Sequence, residues 1–149
     1  MITITVDTSK FDRMMADFPV RLAAAKKRAL EAIGQAVASR ATLAFRSPSL
    51  RPSPWAPRKP SKRDDGHPLL IRSGNMRQSI KWELRGDDTV AIGTPTKYAP
   101  FHQHGTKNMP ARPFFPIDRH GQLVPAMASK VARTVERIYT EELGKLGEG

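Results

Sequence analysis

The pattern of apolar and polar positions predicts a chain that alternates between helix and short strand. Ile2, Ile4 and Val6 alternate with Thr3 and Thr5, a period of two that predicts a short N-terminal strand with one apolar face. Asp7, Thr8 and Ser9 then offer helix caps. Phe11, Met14, Met15 and Phe18 recur at helical spacing, and Pro19 either interrupts that helix or opens the next at its first turn. Residues 21–45 predict a long alanine-rich helix. Leu30, Ile33, Val37, Ala41 and Ala44 form its inner stripe, with Lys27, Arg28, Glu31, Gln35 and Ser39 opposite.

Residues 47–68 break this regularity. Pro48, Pro52, Pro54, Pro57, Pro60 and Pro68 forbid regular helix or central strand, and Arg51, Arg58, Lys59, Lys62 and Arg63 make the segment basic. It is expected to be a long flexible loop in which Trp55 is a candidate anchor and which orders against a partner. Residues 69–79 read as a short helix capped by Ser73. Ile80, Trp82 and Leu84 then alternate with polar residues, Gly86, Asp87 and Asp88 make a turn, and Val90 and Ile92 share one face of a returning strand. Residues 95–116 are irregular, and Phe114, Phe115 and Ile117 suit an extended segment. A final helix is expected from between Asp118 and Val124 to about Leu143, with Pro125 in its first turn. Val124, Met127, Val131, Val135 and Ile138 form its apolar stripe. Residues 144–149, rich in glycine, suit a frayed tail. The fold class is therefore α+β. A small antiparallel sheet, the N-terminal strand plus a β-hairpin, packs against two long helices in a single domain over residues 1–149, with a long basic Pro-rich loop.

Composition sharpens this picture at two points. The chain has no cysteine, which excludes disulfides and thiolate metal sites. Twenty-five Lys and Arg against 14 Asp and Glu give a net charge of +11, which favours anionic partners: nucleic acid or an acidic protein surface. No apolar run reaches the roughly 20 residues that span a bilayer, and the N-terminus lacks a signal-peptide pattern. The product is expected to be soluble and intracellular where it is made, with no membrane and no small-molecule substrate.

Candidate chemistry is sparse. His102 and His104 could bind a metal or supply a base, but Asp118, His67 and His120 are the only loose further ligands and match no metal-site spacing. Asp64-Asp65 and Asp87-Asp88 read as turn formers beside glycine. No phosphate-cradling glycine loop, nucleophile elbow or zinc pattern occurs. Arg112 is flanked by Pro110 and Pro113, which hold its backbone extended, and its guanidinium can clamp a carboxylate or a carbonyl cluster with two prongs. No catalytic residue, cofactor or metal is expected.

Three blocks resemble the phage virion-morphogenesis or tail-completion family, related broadly to head–tail joining and tail-assembly proteins. The first is Trp55-Ala56-Pro57. The second runs from Leu69 to Ile80, LLIRSGNMRQSI, and is similar to the family's Leu-x-x-[Ser/Thr]-Gly-x-[Leu/Met]-x-x-Ser-Ile pattern. The third is Tyr98-Ala99-Pro100-Phe101-His102-Gln103-His104-Gly105 followed by Pro110-Ala111-Arg112-Pro113-Phe114, which resembles Tyr-Ala-x-x-His-x-x-Gly and Pro-Ala-Arg-Pro-Phe. His104 departs from the pattern, which favours an apolar or aromatic residue there. The resemblance implies a structural protein, not an enzyme, that finishes the tail or joins it to the head. Its partners would be other tail or connector proteins and further copies of itself in a ring. It would be found in the host cytoplasm during assembly and then in the tail or neck of the virion. Trp55, Arg58, Lys59, Lys62, Arg63, Tyr98, His102, Arg112 and Phe114 are the candidate partner-binding residues. Two other function classes compete: a basic nucleic-acid-binding module, whose affinity would fall steeply with salt, and a metal-dependent nuclease using His102 and His104.

Overall fold

A computed structural model describes residues 3–5, 7–60, 66, 68–71 and 73–148. Its spine is one helix, α1, Ser9–Ala44, 36 residues long and unbroken through Pro19. The expected interruption there does not occur. Proline removes one backbone donor, but around Pro19 the helix is largely exposed, so water can satisfy the carbonyl left over. At its start, Thr8 donates its hydroxyl to the Asp12 carboxylate at 3.0 Å, and the Asp7 carboxylate accepts the Ser9 N–H at 2.9 Å.

The rest of the chain packs on the C-terminal two-thirds of α1. A single turn of helix, α2, spans Asn75–Gln78, followed by the antiparallel strands β1, Lys81–Arg85, and β2, Thr89–Gly93. Trp82 pairs with Ile92 and Leu84 with Val90, so the predicted apolar positions share one face. Gly86 opens the turn with φ +65°. A short helix, α3, Ala99–His104, follows, and α4, Pro125–Leu143, returns antiparallel along α1 with Pro125 in its first turn. Among the described residues the sheet has two strands. This α+β layout of two long helices and a hairpin is the expected one.

Four expectations are corrected. Residues 3–5 lie in no strand, while positions 1, 2 and 6 of that expected element fall outside the described residues. The helix expected over 69–79 shrinks to α2, because Leu70 and Gly74 both adopt positive φ, at 61° and 76°, and neither conformation continues a right-handed helix. The irregular block contains α3. Arg28, expected on the outer face of α1, instead meets α4: its guanidinium donates to Glu142 at 2.6 Å and Glu141 at 3.0 Å. Lys145 also donates to Glu142, at 3.1 Å. The Lys145 and then the Arg28 hydrogen bonds hold the Glu142 carboxyl below its ordinary range.

The small residues of α1 set how closely its neighbours approach. Ala25, Ala29, Val37, Ala38, Ala41 and Ala44 are buried, and a Cβ at Gly34 would meet the Trp82 ring at 2.7 Å. At the C-terminal end of α1 lies the main apolar cluster: Ala41, Ala44, Phe45, Trp55, Met76, Ala99 and Phe114. Burying a side chain the size of Phe114 or Phe45 contributes about 1.5–3 kcal/mol.

Candidate interaction site

The site is built where the proline-rich segment and residues 98–117 meet the end of α1. Trp55 anchors the first of these. Its indole packs edge-on against Phe45, with centroids 5.9 Å apart, and its Nε1–H donates to the Pro113 carbonyl at 2.7 Å. Arg51 lies over the Trp55 ring, its guanidinium carbon 3.6 Å from the centroid, and donates to the carbonyls of Ala44 at 2.7 Å and Phe45 at 3.2 Å. These are C-terminal carbonyls of α1 that the helix itself leaves without a donor, so one arginine both caps the helix and fixes the tryptophan.

Arg112 makes the reciprocal clasp. Its Nε–H donates to the Ala56 carbonyl at 2.9 Å and its Nη2 to the Pro57 carbonyl at 3.1 Å, while its own N–H donates to the His102 carbonyl at 2.7 Å. The two prongs predicted for this guanidinium therefore grip carbonyls of the chain's own proline-rich segment.

Helix α3 turns by about 100° per residue, which sends three successive side chains in three directions. Gln103 points into the core: its Oε1 accepts the Phe114 and Phe115 N–H groups, both at 3.0 Å, and its Nε2 donates to the Phe115 carbonyl at 3.4 Å. His102 lines an open groove of about 500 Å³ with Arg58, Leu70, Met76, Tyr98 and Arg112. Burial, and then the nearby Arg112 guanidinium, push its imidazole below the ordinary value. His104 lines a different groove with His120 and Asp118. The histidine pair therefore does not converge on one point. Asp118 is occupied as a turn former, its Oδ1 accepting the N–H groups of His120 at 2.8 Å and Gln122 at 3.0 Å. No group of three or more His, Cys, Asp or Glu among the described residues could hold a metal ion.

The candidate residues thus fall into three sets. Arg58, Tyr98, His102 and Arg112 come together around the groove, with Lys59 exposed nearby in sequence. Trp55 and Phe114 lie behind them in the core, Phe114 being 0% exposed. Lys62 and Arg63 fall outside the described residues. Sequence reasoning missed Gln103 and Phe101. Gln103 sits between two histidines that drew attention to themselves, and only the fold shows that a lone buried amide serves the Phe114–Phe115 backbone. Phe101 is 53% exposed beside Tyr98 at 46%, two aromatics on the outer side of α3.

Gly105 closes the motif. With φ +73° and ψ 174° it terminates α3 in a region open to glycine, and a Cβ there would stand 2.7 Å from the Ala111 backbone nitrogen. No helix among the described residues is long and apolar enough to cross a membrane. In comparison with known proteins, the model of the phage virion morphogenesis family matches residues 6–135 of the 149-residue chain. No curated protein and no solved structure matches it.

Proposed function

The chain belongs to the phage virion morphogenesis family, and from that premise we propose that it completes the tail or joins it to the head of a tailed phage or prophage, by protein–protein contact and not by catalysis. A structural role in building the virion follows from the family itself. The observation that carries the finer reading is the platform made by α3. Gln103 and Arg112 anchor this helix from behind, and Tyr98 and Phe101 stand exposed on its outer side beside the basic groove. Exposed aromatics on a rigid base are what a docking surface needs, because little side-chain freedom is lost on binding. In this reading Arg58, Lys59, Tyr98 and His102 meet the partner, with Lys62 and Arg63 extending the basic surface. Trp55, Arg112 and Phe114 hold that surface in shape. The partner is an acidic face of another tail or connector protein, as the net charge of +11 favours. Copies of the chain associate in a ring, assembled in the host cytoplasm and retained in the tail or neck.

The test is genetic and visual. Particles made without this gene are expected to show unjoined heads and tails by electron microscopy. A Tyr98→Ala, Phe101→Ala chain, folded by circular dichroism, is expected to leave the same defect. Joined, infectious particles from the deletion would overturn the reading.

A further inference from the structure

The N-terminal arm is the part of the molecule that the body leaves without a partner. Ile4 is 84% exposed and Phe11 60% exposed, and Met15, Phe18 and Leu22 are exposed as well. Phe11, Met15, Phe18 and Leu22 fall on one stripe of α1. The same stripe continues into Ala25 and Ala29, which are buried. Ahead of the helix, Ile2, Ile4 and Val6 alternate with Thr3 and Thr5 as a strand should, yet residues 3–5 join no strand.

Geometry explains why this segment cannot use its own sheet. Trp82 of β1 sits against Gly34, roughly 37 Å from Ser9 along α1 at about 1.5 Å per residue. Leu84 shares a cavity wall with Leu30, roughly 31 Å from Ser9. Ile4, even on a fully extended chain, lies at most about 18 Å from Ser9. It falls short of the middle of β1 by nearly half the distance, and α1 is a continuous helix that does not fold back.

The acceptor is present all the same. Two strands alone make a marginal sheet, and among the described residues β1 pairs only with β2, which leaves β1 an open edge. A groove of about 490 Å³ runs between β1 and α1, walled by Gln35, Ser39, Leu43, Ile80 and Trp82. Deepening the self-association in the reading above, on which it rests, we propose that residues 2–6 of one copy add as a third strand to the β1 edge of a second copy, with Ile2, Ile4 and Val6 turned toward that groove. The occupant is a second copy because donor and acceptor occur in the same chain and cannot meet within it. Each copy gives a strand on one side and takes one on the other. Such a contact is head-to-tail, and it closes into a ring when the rotation per copy allows. It also carries the exposed Phe11–Phe18 stripe up to the neighbour.

The absence of cysteine makes the test clean. Single-cysteine chains carrying Thr3→Cys, Thr5→Cys or Asp7→Cys are mixed with chains carrying Lys81→Cys, Glu83→Cys or Arg85→Cys. Partners across a strand pair lie about 4.5–5.5 Å apart at Cα, within disulfide reach. At least one donor–acceptor pair is expected to cross-link under mild oxidation, and none of the donors with Lys107→Cys. In parallel, sedimentation of the full chain against concentration is compared with Ile4→Asp and with a chain lacking residues 2–6, helix content being checked for each. The association midpoint is expected to move up about tenfold or more for either variant. If the full chain associates and both variants associate equally well, the strand exchange is wrong while self-association stands. If the full chain stays monomeric throughout and no donor–acceptor pair cross-links, both fail, and the assembly role is still judged separately by the deletion particles.

Discussion

Replacing Gln103 isolates the bond set that holds the two halves of the site together. Gln103→Ala removes the acceptor for two backbone N–H groups, those of Phe114 and Phe115, each 3.0 Å from Oε1. A buried donor left without an acceptor costs about 1–3 kcal/mol. Phe114 is fully buried and bears that cost in full, whereas Phe115 is half-buried and its N–H recovers part of it from water. The Nε2 bond at 3.4 Å adds little. The expected loss is about 2–4 kcal/mol, a large share of the roughly 5–15 kcal/mol that stabilises a domain. Gln103→Leu keeps the volume and loses the same bonds, so it is expected to fall in the same range and not near the native chain. Urea unfolding reads the loss as a shift in midpoint at constant slope, and amide exchange at Phe114 should lose its protection. A loss below about 0.5 kcal/mol in both variants, with Phe114 still protected, would refute the reasoning.

Two further outcomes follow from backbone geometry and charge. Gly105→Ala meets both a positive φ and the backbone of Ala111 at 2.7 Å; it is expected to cost about 3–5 kcal/mol. Gly86→Ala, with φ +65° and open space around it, costs only about 1–2 kcal/mol, and equal losses in urea would show that the Ala111 contact is immaterial. For the pairing of α1 with α4, Arg28 and then Arg137 hold Glu141 below its ordinary 4.5, as Lys145 and then Arg28 hold Glu142. Both carboxyls bind protons less readily folded than unfolded. Their contribution is therefore complete above 4.5 and is lost as pH falls through the lowered folded values. Between about pH 5 and pH 3 the native chain is expected to lose thermal stability more steeply than Arg28→Met; parallel curves would remove Arg28 from the account.

The sequence by itself determined the elements whose signals are local and periodic. The helical stripe Met127, Val131, Val135 and Ile138 lies against the body as read. The hairpin puts Trp82 opposite Ile92 and Leu84 opposite Val90, and the family follows from short motifs in fixed order. Periodicity records which face is apolar, and glycine and proline record where the chain turns, so both can be read without knowing what lies across the interface. Tertiary structure decided whatever depends on a partner distant in sequence. Arg28 read as a solvated residue until α4 brought Glu141 and Glu142 to it. Arg112 was legible as a two-pronged clamp, but its targets, the Ala56 and Pro57 carbonyls, were not. Gln103 carried no local signal, because its value comes from two N–H groups that only the fold brings within reach. The N-terminal strand shows the limit from the other side. Its alternation is plain in the sequence, and only the length of α1 shows that its own sheet lies beyond its reach.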